Sequence, residues 1–152
     1  ESMVNKATAD VGPIDVLINN AGLSIKGSIV DLSTHDFDRV IAVNLRGPFL
    51  TCKFIVPSMI ERSRGNIINL GSRQADWVDA SHIVYGPSKA ALNRFSQNMA
   101  EDLKPFNIAV NAMSPGLISW KSDLKIILLL TTVFLQKPTT RKIKKLKHSG
   151  EP

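Results

Sequence analysis

The sequence predicts an α/β fold: a partial, doubly wound parallel sheet with three core strands and flanking helices. Three observations carry this. Short, nearly continuous apolar runs occur at Asp15–Ile18, Asn66–Leu70 and Ile108–Ala112, as expected for strands buried on both faces of a parallel sheet. Longer segments between them place apolar residues at helical spacing, and strands alternating with helices in this way form open parallel sheets. Each run also ends in turn-forming residues: Asn19-Asn20-Ala21-Gly22, Gly71-Ser72 and Ser114-Pro115-Gly116. In such sheets ligands lie beyond the carboxyl ends of the strands, so Gly22, Ser72 and Pro115-Gly116 converge on one candidate site.

The elements follow in order. Glu1–Asp10 reads as the end of a polar helix, broken by Gly12-Pro13. After the first strand, Ser33 with Asp36 three residues on resembles a capping box, and Phe37, Val40, Ile41 and Leu45 keep helical spacing behind it. A second, longer helix is predicted from about Gly47 to Arg62. Pro57 should kink rather than end it, because the apolar pattern continues through Met59 and Ile60. The second strand leads through a loop, Arg73–His82, into a helix from about Val84 to Lys104 that Pro105 helps to stop.

The most specific chemistry sits at the start of that helix. Tyr85 and Lys89 are four residues apart and so share one helical face. An ammonium there favours the phenolate, which makes the phenol a usable acid and base. Ser72, thirteen residues before Tyr85, ends the preceding strand and can donate a hydrogen bond to a developing alkoxide.

Asn19-Asn20-Ala21-Gly22, Asn44, Ser72, Tyr85-x-x-x-Lys89 and Ser114-Pro115-Gly116 resemble, in order and spacing, the short-chain dehydrogenase/reductase family over about residues 5–118. The resemblance implies a Rossmann-like domain and an oxidoreductase that reduces a carbonyl or oxidises an alcohol with NAD or NADP. Tyr85 would move the proton and Ser72 would hold the reacting oxygen. Lys89 would support Tyr85 and bind the nicotinamide ribose, while Asn44 would organise a water leading from Lys89 to solvent. Asn20, Ala21 and Gly22 would let the backbone approach the adenosine half of the coenzyme, or form a bare turn. Pro115, Gly116 and Ile118 match the loop lying against the nicotinamide. The helices at 47–62 and 84–104 correspond to those through which family members form homo-oligomers.

Two departures limit the match. No glycine-rich turn precedes Asn19, although such a turn and the helix behind it normally cradle the pyrophosphate. The expectation is a domain lacking its amino-terminal strands, with impaired coenzyme binding and an unpaired edge on the first strand. After Ile118 the sequence no longer follows the family, and Trp120 stands where a threonine is usual. The chain therefore divides into residues 1–118, a truncated dinucleotide-binding domain, and a divergent tail, 119–152.

Charge divides at the same place. Of the net charge of +6 on 152 residues, none belongs to residues 1–118, which balance 11 basic against 11 acidic groups. The tail carries 8 basic and 2 acidic. This excludes a basic nucleic-acid-binding domain. Ile126–Leu135 is apolar but shorter than the roughly 20 residues that span a bilayer, and Arg141–Lys147 is a basic cluster. An anionic-membrane anchor, a phosphate-binding tail and an end that joins no core, such as a misread exon or frame, all fit this composition; the last is favoured. The alternative to an enzyme is a non-catalytic relative that pairs with full-length subunits or binds anionic surfaces through this tail.

Cys52, the single cysteine, lies in an apolar helical stretch and fits packing in a reducing compartment. With no secretory leader in the sequence, a cytoplasmic location is expected. His35 and His82 have no metal-ligand companions, and no metal is assigned. Trp77 and Val78 in the loop before Tyr85 point to an apolar substrate or to simple packing.

Overall fold

A computed structural model describes residues 1–115. Gly116, Ile118, Trp120 and the whole 119–152 tail, with its apolar run and basic cluster, lie outside the described residues. Helix α1 spans Ser2–Val11, β1 Val16–Asn19, α2 Thr34–Ile41, α3 Gly47–Glu61, β2 Gly65–Leu70, α4 Tyr85–Leu103 and β3 Ile108–Met113. The strands are parallel in the order β1-β2-β3, with Asn19 opposite Asn69 and Leu70 opposite Met113. All three predicted strands are present, each shifted or extended by a residue. Among the described residues β1 pairs only with β2, so its outer edge is unpaired as expected.

The sequence reading separated the helices before and after Gly47, and the structure corrects this. Thr34–Glu61 is one continuous helical run in which Ala42–Arg46 forms a π-helical turn joining α2 to α3. A π turn inserts an extra residue and rotates the side chains that follow. Pro48 lies inside this run, just after the π turn, where it has no N–H to continue the hydrogen-bond ladder. Ser33 caps α2 as predicted, accepting from the Asp36 amide at 3.0 Å. By length and composition Thr34–Glu61 could cross a membrane, yet Cys52, Ile55 and Met59 from this run are buried in the core.

That core is formed where α3 and α4 cover the sheet. Leu17, Ile67 and Ile108 point from the three strands toward Cys52, Ile55 and Met59 of α3 and Leu103 of α4, with Val4 of α1 at the margin. Fully burying such side chains stabilises the fold by roughly 1.5–3 kcal/mol each. On the same face, at the carboxyl end of the strands, the packing turns polar. Thr51 Oγ1 donates to Asn19 Oδ1 at 2.6 Å, Asn19 Nδ2 to Asn69 Oδ1 at 2.7 Å, Asn69 Nδ2 to Ser96 Oγ at 2.8 Å, and Ser96 Oγ to the Leu92 carbonyl at 2.7 Å. This chain of bonds runs from α3 across β1 and β2 to α4. A one-residue slip of either strand would bury those amides without partners, so the chain fixes register immediately beneath the candidate site.

Candidate active site

The strand ends bring three turns together. Gly71 N–H donates to the Met113 carbonyl at 2.7 Å and Arg73 N–H to the Pro115 carbonyl at 3.3 Å, so the segments after β2 and β3 run side by side. Ser72 is extended and caps a short 3-10 turn, Arg73–Ala75, by accepting from Gln74 N–H at 3.2 Å. Its oxygen is thereby oriented while its own hydrogen stays available to donate. The first turn of α4 packs directly on this segment. At Gly86 a Cβ would stand 2.8 Å from the Gln74 carbonyl oxygen, so only glycine permits this approach.

Tyr85 opens α4, half-buried. Lys89, one turn on, is 3% exposed. Its Nζ lies 5.8 Å from the centre of the Tyr85 ring and donates to the Leu70 carbonyl at the end of β2 at 2.6 Å. The two side chains therefore share a side, as the four-residue spacing predicted. Burial pulls the Lys89 ammonium below the usual lysine range, since desolvation disfavours its charge.

Asn44 is wholly buried in the π turn. Its Oδ1 accepts from Leu23 N–H at 2.7 Å, and its Nδ2 donates to the Leu23 carbonyl and to Ser88 Oγ, both at 2.9 Å. Ser88 Oγ in turn donates to the Tyr85 carbonyl at 2.7 Å. Both amide hydrogens of Asn44 are thus committed to the protein, and only one lone pair of Oδ1 remains for another partner. Beyond the water expected of it, Asn44 clamps the strand-end turn and makes a two-bond link to the backbone of Tyr85.

Asn20 is half-buried, while Ala21 and Gly22 are exposed. A methyl at Gly22 would meet Lys89 Nζ at 3.4 Å and Asn44 Oδ1 at 3.8 Å, ordinary contacts. Glycine here is therefore not required to relieve a clash. Pro115 is the last described residue of the expected coenzyme loop.

Sequence reasoning missed two contributors. Ser88 is fully buried and was passed over as filler within Tyr85-x-x-x-Lys89; its signal was a polar residue at an inward phase of an otherwise apolar helix face. His82, which drew attention only as an unsupported metal ligand, stands with its ring centre 5.9 Å from that of Tyr85. Among the described residues no group of three or more potential ligands could hold a metal ion. Cys52 is buried and accepts from Asn19 Nδ2 at 3.6 Å; burial pushes its thiol up to about 11, as suits a packing group.

Comparison with known proteins gives the same picture from another side. The family model for short chain dehydrogenase matches residues 1–126. A 2-dehydro-3-deoxy-D-gluconate 5-dehydrogenase of Formosa agariphila is 37% identical over 116 residues, which cover 76% of this chain and 44% of that protein. Among solved structures, an NAD+-bound xylitol dehydrogenase superposes with a TM-score of 0.72 at 36% identity, over 76% of this chain and 45% of that one. A gluconate 5-dehydrogenase of Burkholderia cenocepacia, in complex with NADP and tartrate, superposes with a TM-score of 0.73 at 30% identity, over 76% and 45%. The chain spans about half the length of the curated relatives it matches.

Proposed function

Because the chain belongs to the short-chain dehydrogenase family, we propose that residues 1–118 carry the acid/base part of an NAD- or NADP-dependent oxidoreductase site. In this reading Tyr85 gives a proton to a carbonyl oxygen during reduction and takes one from an alcohol during oxidation. The observation that carries it is the buried Lys89, held on the Leu70 carbonyl with its charge beside the Tyr85 ring. Ser72, its oxygen set by Gln74 N–H, donates to the same substrate oxygen. Asn44 acts through Ser88 and Leu23, holding the backbone on either side of Lys89.

The residues present fit the nicotinamide part of a dinucleotide. Lys89 Nζ lies next to Gly22, 3.4 Å from where a Cβ would stand, and an ammonium there suits ribose hydroxyls. Pro115, the last described residue of the expected coenzyme loop, lies beside Arg73 after β2, and the family resemblance gives Asn20, Ala21 and Gly22 to the adenosine half. The coenzyme, when bound, supplies the hydride acceptor or donor. The 152 residues contain no glycine-rich turn for the pyrophosphate, so this chain by itself binds weakly. Relatives are described with NAD+ and with NADP, and the residues present favour neither.

Fluorescence titration with NADH and NADPH tests the weak binding. Complementation with the amino-terminal half of a full-length relative is expected to restore binding and to give turnover of small ketones. Tyr85→Phe in that complex should lower turnover by about 10²–10⁴-fold. Turnover that survives the substitution overturns the assignment.

One observation favours a second reading, pairing through the helices at 47–62 and 84–104. Phe49, 46% exposed, packs on Phe95 at 6.3 Å between ring centres, and Val56 and Met99 extend an apolar groove between α3 and α4. A second copy, or a full-length relative, would cover that groove whether or not this chain turns over substrate. Failure to co-elute with itself and with an intact relative removes this reading.

A further inference from the structure

A cavity of about 390 Å³ lies between the loop before α4 and the outer side of that helix's first turns, and the proposed proton chemistry leaves it unused. Trp77, Val78, Ile83, Pro87 and Ala90 give it apolar walls; Tyr85, Ser72 and Lys89 do not line it. Its size falls within the range of small-molecule sites. Such sites combine apolar walls with a few fixed polar groups, and here His82 supplies one.

The His82 ring is held from one side. Nδ1 lies 2.8 Å from Asp79 Oδ2, with Ser81 Oγ at 3.0 Å and Gln74 Nε2 at 3.3 Å. Asp79 also accepts from Ser81 N–H at 2.9 Å, Ser81 Oγ at 2.7 Å and Gln74 Nε2 at 3.2 Å. The Ser81 hydroxyl and amide, then His82, hold the Asp79 carboxyl down at about 2, so it is an anion at neutral pH. An ionised carboxylate only accepts, so in the neutral ring the proton sits on Nδ1 and Nε2 is the acceptor. No described residue bonds Nε2.

We infer that this cavity binds the apolar body of an aromatic or alicyclic alcohol whose hydroxyl donates to His82 Nε2. Since the His82 ring borders Tyr85, the inference deepens the oxidoreductase reading and rests on it for one point only, that the bound molecule is part of a substrate. A hydroxylated ring is then the substrate class, and His82 is its specificity-determining residue.

The test uses the full chain and needs neither coenzyme nor turnover, so its failure leaves the role of Tyr85 standing, and failure of Tyr85 leaves the cavity standing. Long-range ¹H–¹⁵N spectra read the His82 tautomer, and titrations compare 4-methylphenol with toluene. We expect the Nδ1–H tautomer, a shift of Nε2 with 4-methylphenol alone, and about 5–10-fold tighter binding of the phenol, as one net hydrogen bond provides. His82→Phe should bring that ratio to about one while toluene still binds. Asp79→Asn, which keeps the loop's size and weakens the hold on the proton, should lower the ratio part-way. Equal binding of the two probes, binding of neither, an Nε2–H tautomer, or a preference that survives His82→Phe overturns the inference.

Discussion

Replacing Asn44 by alanine separates two accounts of this site: a clamp that holds the backbone, or a polar residue that merely occupies a helix turn. Alanine removes three hydrogen bonds of 2.7–2.9 Å. Leu23 loses the partners of both its N–H and its carbonyl. It is only half-buried, so water recovers part of the loss, and each orphaned group costs roughly 1 kcal/mol rather than the full desolvation penalty. Ser88 keeps its own donation to Tyr85 and loses a donor it can partly replace. The fully buried carboxamide also leaves a small void, for roughly another 1 kcal/mol. The expected loss is about 2–4 kcal/mol, read from urea unfolding with an unchanged m-value, together with faster exchange of the Leu23 amide.

Asn44→Leu is the control, since it nearly restores the volume without restoring any bond. If hydrogen bonds dominate, the leucine variant stays within about 1 kcal/mol of the alanine variant. A loss below about 0.5 kcal/mol for alanine, or a leucine variant as stable as the parent, refutes the clamp.

Lys89→Met should remove turnover from the complemented enzyme yet stabilise the fold by about 1–2 kcal/mol at pH 7, because an apolar side chain replaces a buried charge. The pH dependence has a defined sign. The folded pKa of Lys89 lies below its unfolded value near 10.5, so between the two the unfolded chain holds the extra proton and stability rises with pH. Below that window the penalty is fully present. Methionine should abolish this lysine-dependent rise, and an identical pH profile in parent and variant argues against burial of the charge. Gly86→Ala places a methyl 2.8 Å from the Gln74 carbonyl; the turn after Ser72 must move, at about 1–3 kcal/mol, and thermal melts matching the parent would show that the loop is not seated on α4.

Strands, helices and the Tyr85–Lys89 face were legible because each rests on local pattern: apolar runs for β1–β3 and four-residue spacing for the side chains. The π turn was not legible. Ala42–Arg46 reads like any helix, and the inward Asn44 it carries bonds Leu23 and Ser88, contacts 21 and 44 residues away in sequence. The chain of Thr51, Asn19, Asn69 and Ser96 failed for the same reason. Each residue is a modest polar interruption of an apolar segment, and only the fold shows that the four interruptions meet. His82 was visible as a titratable residue, but its partner Asp79 lies in an irregular loop where spacing carries no information about geometry.

Two buried polar chains hold Tyr85 and Lys89 at the carboxyl end of the sheet. The lower one, from Thr51 to the Leu92 carbonyl, locks α3, β1, β2 and α4 in register. The upper one, from Leu23 through Asn44 and Ser88 to Tyr85, sets the turn beside Lys89 and the first residue of α4. Neither draws on a residue outside the described part of the chain, and each bond leaves a buried donor or acceptor unsatisfied if it breaks. The position of the phenol relative to the ammonium is therefore set by contacts at the sheet's carboxyl end.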